Sequence, residues 1–140
     1  MTELSARPLG DHGTAPPETA EAAVAIDLGC GFRKQAGAIG IDIARIRGVD
    51  ILGDVTRTLP IRDNCADRVY ASHIVEHLND LPAFMAEIWR ICKPGAIVYF
   101  RFPHASAGYI AWTDPTHHRA LTLDTFEYFD PDALHGVIFG

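Results

Sequence analysis

The chain has 140 residues, 48% of them hydrophobic, enough for one compact domain with a core of its own. Its 12 Lys plus Arg stand against 18 Asp plus Glu, giving a formal net charge of −6 without a basic run, which argues against a nucleic-acid partner. No apolar run approaches the roughly 18 residues of a membrane span, and the amino terminus lacks the basic-then-apolar order of a signal segment, so a soluble cytoplasmic protein with no membrane partner is expected.

Residues 1–21 are rich in Gly, Pro, Thr, Ala and acidic side chains without a sustained apolar period. They read as a flexible leader before a single domain over residues 22–140. Apolar runs at residues 23–28, 39–43 and 49–52 read as buried parallel strands, the first and third stopping at glycine. Residues 68–72 and 96–102 supply a fourth and a fifth strand, the last stopped by Pro103. Between these two, Leu81, Phe84, Met85, Ile88, Trp89 and Cys92 recur at helical spacing. Asn79 or Asp80 caps that helix, Pro82 falls in its first turn, and Lys93-Pro94-Gly95 supplies a cationic end, a breaker and a turn. Beyond Pro103 a loop carries Asp114-Pro115-Thr116-His117-His118-Arg119, followed by a short helix at residues 123–129 and a final strand at residues 134–139.

Gly29 and Gly31 follow directly on the first strand, where a tight turn lets a ligand approach the backbone. Gly40-Ile41-Asp42 closes the second strand with a carboxylate able to accept two hydrogen bonds from a ribose diol. Gly53-Asp54-Val55 ends the third, offering an acceptor for an adenine amino group beside an apolar contact for the ring. These ends converge on one crevice of an open parallel sheet. The ten residues between Gly31 and Asp42 are fewer than a helical crossover needs, so the first helix is a single turn or absent. Arg33 and Lys34 read first as a solvated basic pair and second as partners of a ligand carboxylate.

His73-Ile74-Val75-Glu76-His77 also fits H-x-x-E-H, an inverted zinc-protease pattern. Because His73 directly follows a strand and no third ligand lies on a later helix, a zinc hydrolase is set aside and no metal is expected. Glu76 and His77 cap and pack the turn before the helix or line the site. Cys30, Cys65 and Cys92 lack paired spacing and read as reduced thiols.

Ile26-Asp27-Leu28-Gly29-Cys30-Gly31, Asp42, Asp54-Val55, Leu59-Pro60, Asp67, Ser72-His73-Ile74-Val75-Glu76-His77-Leu78 and Arg90-Ile91-Cys92-Lys93-Pro94-Gly95, taken in order, resemble the successive motifs of class I S-adenosylmethionine-dependent methyltransferases. The resemblance implies a Rossmann-like α/β fold with a mainly parallel sheet of order 3-2-1-4-5, here with a shortened first crossover helix and an incomplete C-terminal hairpin. It implies S-adenosylmethionine as cofactor and S-adenosylhomocysteine as product. By the same resemblance Asp27, Gly29 and Gly31, with Cys30 between them, flank the methionine part. Asp42, beside Ile43, holds the ribose, Asp54 and Val55 bracket adenine, and Ser72 with His73 borders the sulfonium. A dehydrogenase fits less well, since Lys34 stands where GxGxxG needs its third glycine.

His104, Asp114, His117, His118 and Arg119 follow the fifth strand on the side where substrates approach such sheets, so His117 and His118 are candidate bases for a small-molecule acceptor. Tyr109, Trp112, Phe126 and Tyr128 are candidate pocket walls, or core. Two functions stay open: methyl transfer, and a binding or assembly module that kept the fold. With the hairpin incomplete, either the fifth strand is left as an edge that a second subunit covers in a homodimer, or the residues from Leu134 supply a substitute strand.

Overall fold

The computed structural model describes residues 22–130. The expected leader, the final strand and the completeness of the C-terminal hairpin fall outside the described residues.

Five parallel strands run β1 (Ala25–Leu28), β2 (Ile39–Asp42), β3 (Ile51–Leu52), β4 (Ala66–Ser72) and β5 (Cys92–Arg101). They lie side by side in the order β3-β2-β1-β4-β5, the Rossmann-like arrangement the sequence implies. In parallel pairs, residues in register share a face. Thus Ile26, Leu28, Ile41, Val69 and Ala71 point to one side and form the core, while Asp27, Gly40, Tyr70 and Tyr99 point to the other.

The core side is covered by α1 (Leu81–Ile91). The Asp80 carboxylate accepts from the Ala83 N–H at 2.9 Å, Pro82 sits where its missing N–H costs nothing, and Leu81, Phe84, Ile88 and Ile91 form the buried stripe. Arg90 then locks the helix to the chain leading into β4. Its guanidinium donates to Glu87 and Asp63 and to the carbonyls of Ile61 and Leu59, and Glu87 in turn accepts from the Leu59 N–H.

Two local readings are sharpened. Lys93-Pro94-Gly95 does end the helix, but without leaving the sheet. Ala66 pairs with Cys92 and Arg68 with Ile97, so the three residues are absorbed as an irregularity of β5, with Gly95 at φ 80°. Past Pro103, in a stretch read as loop, the chain forms a 3-10 turn at Ala105–Ala107 and α2 (Tyr109–Thr113), before the shorter α3 (Asp124–Glu127). Leu121, fully buried, carries this segment back into the core.

Among the described residues no helix connects β1 to β2, β2 to β3, or β3 to β4. The side opposite α1 therefore presents Tyr70 and Tyr99, their rings stacked at 5.0 Å, with exposed Ile97 on the same strand as Tyr99 and exposed Leu52 on β3 at the far edge of the sheet.

Removing the Arg90 network leaves the half-buried Glu87 carboxylate and two carbonyls without their cation, so Arg90→Ala is expected to lower stability by about 1–2 kcal/mol in urea denaturation. Arg90 holds the Glu87 carboxyl below its ordinary range. The Val24 N–H and Lys93 do the same for Asp67, which ties the starts of β1, β4 and β5 together. A carboxyl depressed in the folded state stabilises it above the unfolded-chain value and loses that contribution as pH falls through the folded value. The thermal midpoint should therefore drop on acidification below about pH 4, and less steeply in Glu87→Gln.

Candidate functional site

The carboxyl ends of β1, β2, β3 and β4 meet at one edge of the sheet, where an open parallel sheet leaves room for a ligand. After β1 the chain turns through Gly29 at φ 62° and Gly31 at φ 50°. A Cβ on Gly29 would lie 2.0 Å from the Ile74 side chain, so the turn is pressed against the segment after β4. A Cβ on Gly31 would meet nothing within 4 Å, so the backbone there borders open space.

The connection from β1 to β2 is held by carboxylates in place of a helix. Asp27, 3% exposed, accepts the Gln35 N–H at 2.7 Å, and Asp42 accepts the N–H groups of Gly31 and Ala44, both at 2.9 Å. Burial pushes the Asp27 carboxyl above its usual range, with the Gln35 N–H pulling the other way. Cys30 is buried between these acids, and burial together with Asp27 and Asp42 raises its thiol. Lys34 does not reach into the crevice. It pairs with Asp50 at 2.6 Å, which also accepts the Gly40 N–H, while Arg33 is exposed.

At the end of β3, Asp54 accepts from the Thr56 N–H and hydroxyl, which hold it below the ordinary carboxylate range, with Val55 half-buried beside it. Ile43, beyond Asp42, is exposed. Ser72 is half-buried at the end of β4, and His73 takes φ 57°, a conformation rare outside glycine. Its N–H donates to the Arg101 carbonyl at 2.7 Å, and its Nδ1 lies 3.1 Å from Glu76 Oε1. The ten residues predicted for the cofactor thus lie on four neighbouring strand ends and the turns after them.

The loop with the second histidine pair is stitched onto the segment after β4. The His118 N–H donates to the Glu76 carbonyl, His77 Nδ1 meets Thr116, and Arg119 donates to the carbonyls of Leu78 and Asn79. The His117 ring packs edge-on against His77 at 4.8 Å, whereas His118 is exposed. The His104 imidazole bonds Ser106, two residues on, and its carbonyl accepts from the Ala107 N–H. Of the candidate walls, Phe126 belongs to the core, stacked on Phe100 at 4.7 Å, and Tyr109, Trp112 and Tyr128 are exposed. Sequence reading gave Ile74 no role, and its contact with Gly29 has no signal in the spacing. A hollow of about 420 Å³ lies elsewhere, between α1, the start of β5 and α3. It is walled mainly by apolar side chains such as Met85, Ile88 and Phe129.

Residues 18–100 match the family described as "Methyltransferase domain", and the chain belongs to that family. It is 35% identical over 63 residues to a malonyl-[acyl-carrier protein] O-methyltransferase of Serratia marcescens, a match covering 43% of this chain and 24% of that protein. The corresponding enzyme of Pectobacterium atrosepticum is 35% identical over 48 residues, covering 34% of this chain and 19% of its own length. The matches therefore span about a quarter or less of these relatives. Among solved structures, an S-adenosylmethionine-dependent methyltransferase from Archaeoglobus fulgidus superposes with TM-score 0.64 at 22% identity, covering 76% of this chain and 57% of that one. The Haloferax volcanii complex of the Trm112 methyltransferase activator with a putative methyltransferase gives TM-score 0.61 at 20% identity, with coverages of 83% and 62%. These likenesses establish the fold.

The cofactor this family implies is S-adenosylmethionine, and the residues present fit it. Gly31 offers bare backbone to open space, and the half-buried Asp42 carboxylate keeps acceptor lone pairs beyond its two N–H bonds. Gly29→Ala, strained by its φ and driven into Ile74, is expected to cost more than about 2 kcal/mol in chemical denaturation. Gly31→Ala should cost about 1 kcal/mol, since only the backbone strain operates there.

Proposed function

We propose that this chain binds S-adenosylmethionine in the crevice beside Gly31 and transfers its methyl group to an oxygen of a small-molecule acceptor. The observation that carries the reading is the hydrogen bond the Gly31 N–H donates to Asp42, which brings a carboxylate able to bind a diol and a glycine cradle to one place. The cofactor supplies a methyl group on a positively charged sulfur. Gly29 and Gly31 give the methionine portion backbone to lie against, Asp27 holds the turn from beneath, and Cys30 fills the space behind it. Asp42 accepts from the ribose hydroxyls, with Ile43 beside it. Asp54 accepts from the adenine amine, Val55 packs on the ring, and Ser72 and His73 border the sulfur.

In such a displacement the protein mainly aligns the acceptor and takes its proton. Of the two candidate bases, His117 and His118, His118 is the exposed one and is assigned the base. His117, held by its neighbours, positions the loop. The oxygen acceptor follows the O-methyltransferase relatives, and the net charge of −6 disfavours a polyanion in that role. The missing helix after β1 favours a second reading, a methyltransferase-like module that binds without turnover. Among the described residues β5 is an edge strand, which favours a homodimer in either case, and light scattering at micromolar concentration should then give twice the chain mass.

Calorimetric titration with S-adenosylmethionine and S-adenosylhomocysteine tests the site. Both should release heat and raise the thermal midpoint, whereas silence in both measurements defeats either reading. Asp42→Asn is expected to weaken cofactor binding about tenfold, and an unchanged affinity refutes the ribose assignment. His118→Gln should lower kcat about 100-fold on an identified acceptor while leaving cofactor affinity unchanged.

A further inference from the structure

Beside the crevice lies a cluster to which the proposed methyl transfer gives no part in the chemistry. Glu76, His77 and His117 each direct one potential ligand atom into a space where these atoms lie within 4.8 Å of one another. We propose that these three residues form a binding site for one divalent first-row transition-metal ion, with zinc the best chemical match.

The first support is Glu76, a carboxylate with 1% exposure. Its Oε1 faces His73 Nδ1, and its Oε2 is enclosed without a hydrogen-bond partner. Enclosing a carboxylate oxygen without a donor is costly, and a cation at that oxygen removes the cost.

The second support is the state of the two imidazoles. His117 Nδ1 lies 2.9 Å from the Ala111 carbonyl, and His77 Nδ1 lies 3.2 Å from the Thr116 carbonyl and 2.9 Å from the Thr116 hydroxyl, which donates its own proton to Asp114 Oδ1 and so accepts here as well. A carbonyl oxygen only accepts, so each ring carries its proton on Nδ1 and leaves the Nε2 lone pair free to ligate. Rings anchored by an N–H to a carbonyl are the usual arrangement of metal-binding histidines.

Two imidazole nitrogens and one carboxylate form a borderline donor set that suits zinc, cobalt or ferrous iron, whereas calcium and magnesium prefer oxygen alone. Zinc bonds of 2.0–2.1 Å place ligand atoms about 3.4 Å apart, so the ion would draw the segment after β4 and the loop around His117 closer together. Asp114 Oδ2, 3.8 Å from His117 Nε2, stands near enough to join from the same loop. The H-x-x-E-H string therefore supplies Glu76 and His77 as ligands in place of its two histidines. His73 steadies the other oxygen of Glu76, and the third ligand arrives from the loop after β5, not from a later helix.

The site is tested on the full chain after chelator treatment, with zinc chloride as the probe. Calorimetry should show one ion bound per chain at micromolar affinity, and the thermal midpoint should rise. His77→Gln, which alters a half-exposed ring, should weaken zinc binding at least tenfold. His117→Gln should do the same, and if either variant fails to fold, cobalt on the unaltered chain decides. Cobalt should give visible d–d absorption without a thiolate charge-transfer band. A charge-transfer band would move the ion to the cysteines and overturn the proposal. So would absence of zinc binding by the unaltered chain, or unchanged affinity in folded His77→Gln. None of these readouts depends on cofactor binding or turnover.

Discussion

A parallel crossover that contains no helix must find other partners for its backbone N–H groups, and here carboxylates provide them. Asp27 takes the N–H of Gln35 and Asp42 that of Gly31, while Asp50 takes that of Gly40 within β2 and Asp42 also that of Ala44 just past it. The Ile41 carbonyl accepts from Gly29 and Cys30, closing the turn onto β2. The shape of the crevice, the burial of Cys30 and the raised proton affinity of Asp27 all follow from packing this acid-braced loop where other folds place a helix.

Among the described residues the same economy leaves the sheet one-sided. On the α1 face, aliphatic residues of β1, β2 and β4 meet Phe84, Ile88 and Ile91, and the core extends through Leu121 to the aromatic group of Phe100, Phe102 and Phe126. The opposite face relies on the Tyr70–Tyr99 stack. Order at the carboxyl edge of the sheet thus depends on loops bracing one another, with Arg119 and the His118 N–H fastening the segment after β5 to the segment after β4.

Much of this was legible in the chain itself. Apolar runs closed by glycine located β1 and β3, the stripe from Leu81 to Ile91 located α1, and the short Gly31–Asp42 spacing announced the missing helix. Less visible was α2, because only Ala111 in it is buried and no apolar period marks it. The start of β5 at Cys92 was hidden because Lys93-Pro94-Gly95 has the composition of a turn and serves as an irregularity within a strand. For the site, residue types announced the strand-end acids but not their local bonds. The meeting of His117 with Glu76 and His77 is a product of tertiary folding that no spacing encodes.

Asp42 serves two masters. The carboxylate that fastens Gly31 is the one offered to the ribose in the proposed site, so a substitution there is felt as both lost stability and lost affinity. Such a residue ties foldedness to ligand recognition, and it leaves selection little freedom to adjust one without the other. A descendant that abandoned the cofactor would still be obliged to keep its acid, and the mere presence of Asp42 in related chains would then testify to architecture as much as to catalysis.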